Sequence, residues 1–462
     1  MKKIDPAGRL GTEPIGKLLL QFSIPCIAGM LLNALYNVVD RIFVGRGVGE
    51  IALGGISLVM PLMTLSMGFA MLFGIGAANM ISMRLGQGKK DEAENALNHC
   101  FVLLIGIGIV LMSIGFLFLE PILGTLGARS DGLALDYARR YLKIIMLGMP
   151  FFMVSFGLSH TSRAQGFPMV SLMGMVLGAV LNTILDPIFI FGFRWGVEGA
   201  ALATIISQFV SAVFMFTFGS SKKAVIRLQK TAFKPSLAIF SAIMVFGSAP
   251  SILQFAISAV QLVMNKSIGW YGASSLGVAN GDEIALSAFN ICGSIIMLTL
   301  MPVFGINQGA QPILGFNYGA KQFKRVRRSF LLAVMGATVI CTLGTIIVQI
   351  FPSQIVRFFV PNGSPEILQF TPAIMRITFL IIPLTGFQIV STNMFVVTGR
   401  PRISIFLALL RQVIILIPCI VIFGRVWGLY GIVAAQPVSD ALALIVTSVF
   451  IFKEMKTLKT QV

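Results

Sequence analysis

An asparagine and an aspartate stand in an otherwise apolar stretch, LNTILDPIFIFGF, at residues 181–193. Asn182 and Asp186 are four residues apart, so on a helix both side chains project from the same face. Pro187 follows directly and has no N–H, which leaves the carbonyl oxygen of Thr183 without its helical donor. A carboxylate, an amide oxygen and a freed carbonyl make an oxygen-rich position, which suits a proton or a hard cation such as Na⁺.

Two further residues are candidates for the same position. Asp40 lies in the first apolar segment of the chain, and Thr204 lies in the segment that follows Asp186. Two facing carboxylates cannot both be charged at low cost, so we expect the pair to hold one proton or one Na⁺. Two other roles stay open: Asp186 as a capping or loop residue before the proline, and Asp40 as the ion-pair partner of Arg41 or Arg46.

The segments that carry these residues are apolar enough to cross a membrane. The chain has 462 residues, of which 56% are hydrophobic and 11% are charged, with a mean hydropathy of +0.91. Soluble proteins carry about 25% charged residues. Twelve segments are long enough to span a bilayer; they begin near Leu18, Ala52, Ala96, Tyr141, Met169, Ala200, Leu237, Ala285, Phe330, Leu368, Ile403 and Tyr430. We therefore expect an all-α polytopic membrane protein.

The cysteines and histidines offer little chemistry. The five cysteines all lie in apolar segments without a CxxC pair, and the chain has only two histidines, His99 and His160. The cysteines are expected to be small buried hydrophobic residues. A histidine-built metal site is excluded by the count, and we expect no cofactor beyond a coupling ion, H⁺ or Na⁺.

The basic residues indicate the orientation. Clusters of lysine and arginine lie at 2–17, 84–90, 222–234, 321–328, 400–402 and 453–459, which all fall on one side if there are twelve spans. By the positive-inside rule, both termini are cytoplasmic and the protein lies in the cytoplasmic (inner) membrane. This pattern also explains the net charge of +18. Because the charges are divided among short loops, binding to nucleic acid is not expected.

The chain repeats itself. FGIGAANMISMRLGQGKK (73–90) matches FGINQGAQPILGFNYGAK (304–321) at an offset of 231, and WGVEGAALA (195–203) matches WGLYGIVAA (427–435) at an offset of 232. Each half has an even number of spans, so the repeats are parallel, an arrangement typical of transporters that rock two lobes about a central cavity. The predicted parts are an N-terminal lobe (1–219), a cytoplasmic linker (220–236) and a C-terminal lobe (237–462).

The two halves differ at the aspartates. Asp40 is matched by Asn265 and Asp186 by Pro418, at offsets of 225 and 232. The sequence therefore predicts that the intramembrane carboxylates are confined to the N-terminal lobe. Polar residues within the spans predict the lining of a substrate cavity: Asn33, Tyr36, Asn37, Gln254, Gln261, Asn265 and Gln388.

The chain resembles the multidrug and toxic compound extrusion (MATE) transporters over essentially its whole length. The resemblance rests on NVVDRIFVGRG (37–47), LNTILDPIFIFG (181–192), GAALATIISQ (199–208) and NQGAQPILGFNYGAK (307–321). It implies twelve helices in two six-helix lobes that form a V, and export of organic, often cationic, compounds in exchange for inward H⁺ or Na⁺.

The resemblance also implies roles for particular residues. The cation ligands of the branch with an N-lobe site fall on Asp40, Asn182, Asp186 and Thr204, and the proline that bends the first span falls on Pro25. The branch with acids in spans 7 and 10 is not matched, because the only acid near span 10 is Glu366 at its start. We expect a monomer that is not an enzyme, with small organic cations and the lipid bilayer as its partners.

Two other functions are alternatives. A lipid-linked sugar flippase of the same superfamily would need arginines or lysines in its cavity to hold a pyrophosphate, and only Arg376, Arg411 and Lys266 are candidates. An intramembrane aspartyl protease could use two membrane aspartates. Its GxGD signature is missing, and the nearest match, ANGD (279–282), lies between spans.

Overall fold

The computed structural model describes residues 6–125, 132–229, 234–276, 281–361 and 364–460. Residues 230–233 of the expected linker, Lys230 among them, lie outside this part of the chain. The described residues form helices joined by short turns, without a β-strand. This confirms the all-α class expected from the composition.

The described residues of the first half of the chain form eight α-helices. They are α1 (Arg9–Thr12), α2 (Ile15–Gly47), α3 (Glu50–Gly86), α4 (Lys90–Leu117), α5 (Leu119–Thr125), α6 (Leu133–Ala164), α7 (Pro168–Pro187) and α8 (Gly196–Ser220). A short π-helix, Ile188–Gly192, continues α7. The helices α2, α3, α4, α6, α7 and α8 are spans 1 to 6, while α1 and α5 are too short to cross a bilayer.

The second half contains the remaining helices. They are α9 (Leu237–Leu276), α10 (Gly281–Gly319), α11 (Phe323–Ile350), α12 (Pro352–Phe359), α13 (Pro365–Phe379), α14 (Ile382–Val397), α15 (Pro401–Leu409), a second π-helix (Leu410–Ile415) and α16 (Leu416–Thr460). The helices α9, α10 and α11 are spans 7 to 9. Together α13 and α14 form span 10, which bends by 48° between them.

Residues 401–460 form two spans. By length and composition, ten helices of the described chain could cross a membrane, or eleven with the bent pair, and one of them covers Pro401–Thr460. A helix of 60 residues would be about 90 Å long, three times the thickness of the bilayer core. Gly428 breaks it with φ 58° and ψ −135°. Span 11 therefore ends at Trp427 and span 12 begins at Leu429, which gives the twelve spans that the sequence predicts.

Corresponding turns of the two halves have the same backbone conformation. Gly196 and Gly428 occupy the same place in the repeated WG motif and have φ values of 59° and 58°. Gly166 and Gly399, which precede spans 5 and 11, also have positive φ, at 96° and 77°. Glycine is favoured where φ is positive because it has no Cβ atom. The duplication seen in the sequence is thus also present in the local structure.

The two lobes meet at the end of the bundle that carries the termini. There the backbones of α3 and α10 approach so closely that a Cβ atom on Gly319 would lie 2.1 Å from the carbonyl oxygen of Met83. A Cβ atom on Gly309 of α10 would lie 2.7 Å from the backbone nitrogen of Ser23 of α2. Small residues permit such close approach between membrane helices. We call this contact the seam.

The opposite end of the bundle is open. Beyond the seam, α2 exposes Asn33, Asn37 and Val38, and α9 exposes Gln261 and Asn265. Polar side chains are costly against lipid, so these positions are expected to face water. The lobes therefore form a V that is closed at the termini and open at the other end.

The N-terminal segment crosses the seam. The carbonyl oxygen of Leu10 accepts hydrogen bonds from Nδ2 of Asn317 at 2.9 Å and from Arg325 Nη2 at 3.0 Å. The same Arg325 nitrogen donates to the carbonyl of Glu13 at 2.7 Å. On the other lobe, the carbonyl oxygen of Pro6 lies 2.5 Å from a Cβ position built on Gly166. Residues 6–13 thus connect the two lobes at the closed end.

Candidate functional site

Spans 5 and 6 bring three of the predicted cation ligands together. The Nδ2 of Asn182 donates to Oδ1 of Asp186 at 3.3 Å and to Oγ1 of Thr204 at 3.4 Å. The Thr204 hydroxyl in turn donates to the carbonyl oxygen of Ala200 at 3.0 Å. Asp186 is 0% exposed and Asn182 2%. Asp186 is therefore an interior residue of its lobe, which argues against the alternative of a loop or surface cap.

Span 1 adds the fourth predicted ligand. The carboxyl groups of Asp40 and Asp186 are close enough to share a hydrogen bond. Two carboxylates this close require a proton or a cation between them, because like charges repel strongly in a site with little water. The ion pairs within the described chain do not include one from Asp40 to Arg41 or Arg46, which was the alternative role for Asp40. We call Asp40, Asn182, Asp186 and Thr204 the N-lobe cluster.

Three oxygen atoms of the N-lobe cluster are buried without a hydrogen-bond partner. They are Oδ1 of Asp40, Oδ1 of Asn182 and Oδ2 of Asp186. A buried polar atom left unpaired costs roughly 1–3 kcal/mol, so three in one place indicate a missing partner. A proton on a carboxylate, or a hard cation such as Na⁺ among the oxygens, would satisfy them. The residue types and the unpaired atoms both fit an exchangeable cation.

Pro187 shapes the backbone at the N-lobe cluster. It has no N–H to donate to the carbonyl of Thr183. The N–H of the next residue, Ile188, donates to the carbonyl of Leu185. The chain then continues as the π-helix Ile188–Gly192. Single π-helical turns are frequent at functional sites, since they free backbone groups and rotate the following side chains. That the carbonyl of Thr183 contributes to the cation site stays a prediction.

Close packing holds span 1 against this π-helix. A Cβ atom on Gly47 would lie 2.3 Å from Cγ2 of Ile190, so glycine is needed for the approach of α2. The rings of Phe43 and Phe191 make an edge contact with centroids 6.2 Å apart. The position of Asp40 relative to Asp186 is therefore fixed by packing on the side of Gly47. Further down span 1, α2 passes through the buried Pro25 as one helix, and the bending role of that proline stays a prediction.

Two tyrosines lie beside the N-lobe cluster. Both Tyr36 of α2 and Tyr141 of α6 are near enough to interact electrostatically with Asp40 and Asp186. Tyr36 was predicted only as a cavity residue, and Tyr141 was not singled out. Its sequence context, YARRYLKIIM at 137–146, gives no sign of a polar site, because the first residues of α6 are charged and the rest are apolar. The tertiary structure, and not its position in the sequence, brings Tyr141 near the cluster.

The predicted cavity residues differ in their surroundings. Asn33 and Asn37 are exposed on α2, where Nδ2 of Asn37 donates to Oδ1 of Asn33 at 3.0 Å. The exposed residues Gln261 and Asn265 on α9 pair in the same way at 2.9 Å. Three others are less open: Tyr36 and Gln254 are half-buried, and Gln388 is 3% exposed with its Nε2 unpaired. In this conformation Gln388 packs inside the C-terminal lobe, so it does not line the open part of the V.

The prediction that carboxylates are confined to the N-terminal lobe is wrong. Asp440 of span 12 is 3% exposed, and its Oδ1 accepts a hydrogen bond from Nε of Arg411 at 2.7 Å. Glu454 is also buried and pairs with Arg400. The repeat comparison missed Asp440 because its counterpart at the offset of 232 is the uncharged Gln208. The sequence signal for this ion pair is an arginine on span 11 and an acid on the next span along the chain.

A comparison with protein families matches both halves of the chain. The model of the MatE family covers residues 25–188 and 250–422. The chain belongs to the MatE family. The two matched segments begin at Pro25 and Pro250, which occupy corresponding places in the repeat. In this MatE protein the N-lobe cluster lies inside the first matched segment except for Thr204, and Arg411 lies inside the second.

The relatives of this MatE protein include multidrug export proteins. The chain is 28% identical over 444 residues to the multidrug export protein MepA of Staphylococcus aureus (strain MSSA476), with 95% of this chain and 94% of that protein covered. It is also 28% identical over 440 residues to MepA of Staphylococcus saprophyticus, with 94% and 93% covered.

Solved structures share the fold over the full length. One is described as the outward-facing conformation of a multidrug resistance MATE family transporter; it has a TM-score of 0.91, 24% identity, and coverage of 99% of this chain and 100% of that one. A MATE structure in the bent conformation matches with a TM-score of 0.90, 24% identity and 99% of each chain covered. The two-lobed, multi-pass membrane architecture is thus established for this chain.

Proposed function

We propose that this protein exports organic, often cationic, compounds in exchange for inward H⁺ or Na⁺ by rocking its two lobes. The observation that carries the proposal is the N-lobe cluster, where two carboxyl groups meet and three buried oxygens lack partners. Ionisable residues inside a membrane protein mark ion sites or proton relays. The MepA relatives, named as multidrug export proteins, support organic compounds as the substrates.

The shape of the molecule supports alternating access. The seam closes one end of the V, while polar residues on α2 and α9 are exposed toward the other end. The lysine and arginine clusters between spans lie on the side of the termini, which the positive-inside rule assigns to the cytoplasm. On this assignment both termini are cytoplasmic and the described state is open to the outside.

The charges favour drug export over the transport of lipid-linked sugars. A flippase for such lipids would need free cationic side chains to hold a pyrophosphate. Of the three mid-membrane candidates, Arg411 is already neutralised by Asp440. Lys266 and Arg376 are both exposed, and they lie on different spans. The acidic N-lobe cluster instead suits cationic ligands.

Coupling requires that the cation and the substrate favour different states of the N-terminal lobe. A cation that bound both states equally would not shift the equilibrium between them. Occupation of the N-lobe cluster neutralises Asp186 and Asp40 and changes the packing of span 1, which carries Pro25. We expect the occupied lobe to disfavour substrate, so that inward movement of the cation releases the exported compound.

The test is transport by purified protein in liposomes under separately imposed gradients. Efflux of a fluorescent organic cation is measured with a pH gradient alone, with a Na⁺ gradient alone, and with neither. Efflux driven by one of the two gradients supports exchange and names the coupling ion. Transport of the probe at the same rate under either gradient and in the absence of both would contradict the proposed exchange.

A further inference from the structure

The C-terminal lobe contains a buried carboxylate of which both oxygens already have hydrogen-bond partners. Oδ1 of Asp440 accepts from Nε of Arg411 at 2.7 Å and from Nε2 of Gln436 at 3.1 Å, and Oδ2 accepts from the same Gln436 nitrogen at 3.1 Å. The hydroxyl of Ser439 donates to the carbonyl oxygen of Arg411 at 2.7 Å, which ties the two spans together beside the pair. The side chain of Asp440 is 3% exposed and that of Arg411 16%.

This pair occupies the spans that correspond to those of the N-lobe cluster. Asp440 and Gln436 lie on span 12, the counterpart of span 6, and Arg411 lies on span 11, the counterpart of span 5. At the offset of 232 that aligns the two WG motifs, Gln436 corresponds to Thr204. Arg411 is itself part of the second π-helix, Leu410–Ile415. Each lobe therefore has a buried acid at the contact of the corresponding pair of spans, and a π-helix in or directly after the first span of that pair, although the two π-helices lie at different places along it.

The two lobes differ in how that acid is neutralised. In the N-terminal lobe the oxygens Oδ2 of Asp186 and Oδ1 of Asp40 have no partner, so a mobile cation has unfilled ligands. In the C-terminal lobe a guanidinium, which stays protonated at all accessible pH values, already contacts the carboxylate. Tethered by its own side chain, it cannot exchange with the solution.

We propose that Arg411 acts as a built-in cation that closes a second, latent cation site formed by Asp440 and Gln436. The ligand class of the latent site is a proton or a monovalent cation such as Na⁺. Arg411 thereby restricts cation exchange to the N-terminal lobe. The inference extends the proposed function by explaining why one lobe alone would exchange cations, and its experiment has separate arms for the two sites.

The experiment begins with the N-terminal site removed. The double variant Asp40→Asn/Asp186→Asn has no intramembrane carboxylate in the N-lobe cluster. Three proteins are compared in this background: the double variant itself, the same chain with Arg411→Met, and the same chain with Arg411→Met and Asp440→Asn. Binding of radioactive Na⁺ at equilibrium and uptake of protons in unbuffered detergent solution are measured for each.

We expect no Na⁺ or proton binding by the intramembrane sites of the double variant, because Arg411 keeps Asp440 neutralised. The addition of Arg411→Met should create one new binding event per chain, seen as either Na⁺ or proton uptake. The further change Asp440→Asn should remove it again. Arg411→Lys keeps a tethered charge and should behave as the parent.

Several outcomes would overturn the proposal. One is cation binding by the double variant that disappears with Asp440→Asn, since Asp440 would then be exchangeable beside an intact Arg411. Another is a folded Arg411→Met chain that binds neither Na⁺ nor protons. A third is that Arg411→Met yields folded protein only when Asp440→Asn is added. In that case no cation from solution replaces the guanidinium beside Asp440, which contradicts the proposal. The proposed N-lobe site is tested independently, by comparing the unaltered chain with the double variant.

Discussion

Gly247 of span 7 lies directly against the carbonyl group of Leu72 of span 2, so that a Cβ atom at position 247 would be 1.7 Å from the oxygen. That distance is far inside van der Waals contact, and the obstacle is backbone, which cannot rotate away as a side chain would. The contact belongs to the seam, where the two lobes meet. The described state therefore depends on the absence of a side chain at residue 247.

The first prediction concerns this contact. Gly247→Ala should separate the lobes at the seam and lower the population of the described state. Overpacking costs about 1–3 kcal/mol, which corresponds to roughly a 5- to 150-fold shift. The distance between spin labels on the two lobes at the closed end measures that population. The matched control is Gly269→Ala on the same helix, where an added Cβ meets nothing within 4 Å; an equal effect of both would contradict the prediction.

The second prediction concerns the coupling residues. Asp186→Asn and Asp40→Asn should each abolish efflux that is driven by a cation gradient, because a neutral amide cannot exchange a proton and holds Na⁺ weakly. Glu366→Gln, which alters a half-buried acid at the start of span 10, should leave driven efflux close to that of the unaltered protein. Liposome efflux assays compare the three. Greater damage from Glu366→Gln than from the two N-lobe changes would place the coupling site elsewhere.

The third prediction concerns binding at equilibrium. If cation and substrate favour different states, raising the concentration of the coupling ion should weaken the binding of a fluorescent organic cation. Allosteric coupling of about 1–3 kcal/mol gives a change of roughly 5- to 150-fold. Asp186→Asn should make the affinity insensitive to the ion, because position 186 is then permanently neutral and the paired carboxyl groups that bind the ion are lost. Binding isotherms at several pH and Na⁺ values measure this, and undiminished sensitivity in Asp186→Asn would contradict the mechanism.

The fourth prediction concerns orientation. Cysteines placed at Lys223 and Glu283, both exposed in the structure, should react with a membrane-impermeant thiol reagent from opposite sides. Lys223 lies after an even number of spans, on the side of the termini, and should be labelled only when the cytoplasmic face is accessible. Glu283 should be labelled from outside intact cells. The unaltered protein is a suitable background, because four of its five cysteines are buried and Cys419 is partly so.

The positions of the spans could be predicted from the sequence because lipid imposes a long apolar segment. Helix starts were less certain. Hydropathy predicts that span 4 begins near Tyr141, but α6 begins at Leu133, since its first turns carry Asp136, Arg139 and Arg140. Hydropathy detects the lipid-facing part of a helix, while hydrogen bonding continues the helix into water.

The bend in span 10 was not predicted. It lies between Phe379 and Ile382, just before Pro383. Proline removes the N–H that the carbonyl of Phe379 would otherwise accept from, which accounts for a break at that point. Proline within a span does not by itself predict a bend, however, since α2 passes through Pro25 and α3 through Pro61 as single helices. Which prolines break a helix depends on the neighbouring helices.

The candidate site was predicted where its members share a short motif. Asn182 and Asp186 are one turn apart on one helix, and helical spacing alone places them together. The Arg411–Asp440 pair was missed because its members are on different spans, and a repeat alignment compares each residue only with its counterpart. Tyr141 was missed for a related reason: packing, rather than spacing, brings it to the cluster.

The N-terminal segment has a consequence for how the protein is made. Leu10 and Glu13 leave the ribosome 307 and 312 residues before their partners Asn317 and Arg325, which belong to the eighth span and the start of the ninth. During synthesis the carbonyl groups of Leu10 and Glu13 must therefore remain hydrated at the membrane surface while spans 1 to 8 are inserted. The closed end cannot be completed until Arg325 has been synthesised. An N-terminal lobe produced alone would accordingly lack the contact that joins it to its partner lobe, and its first residues would be open to proteases.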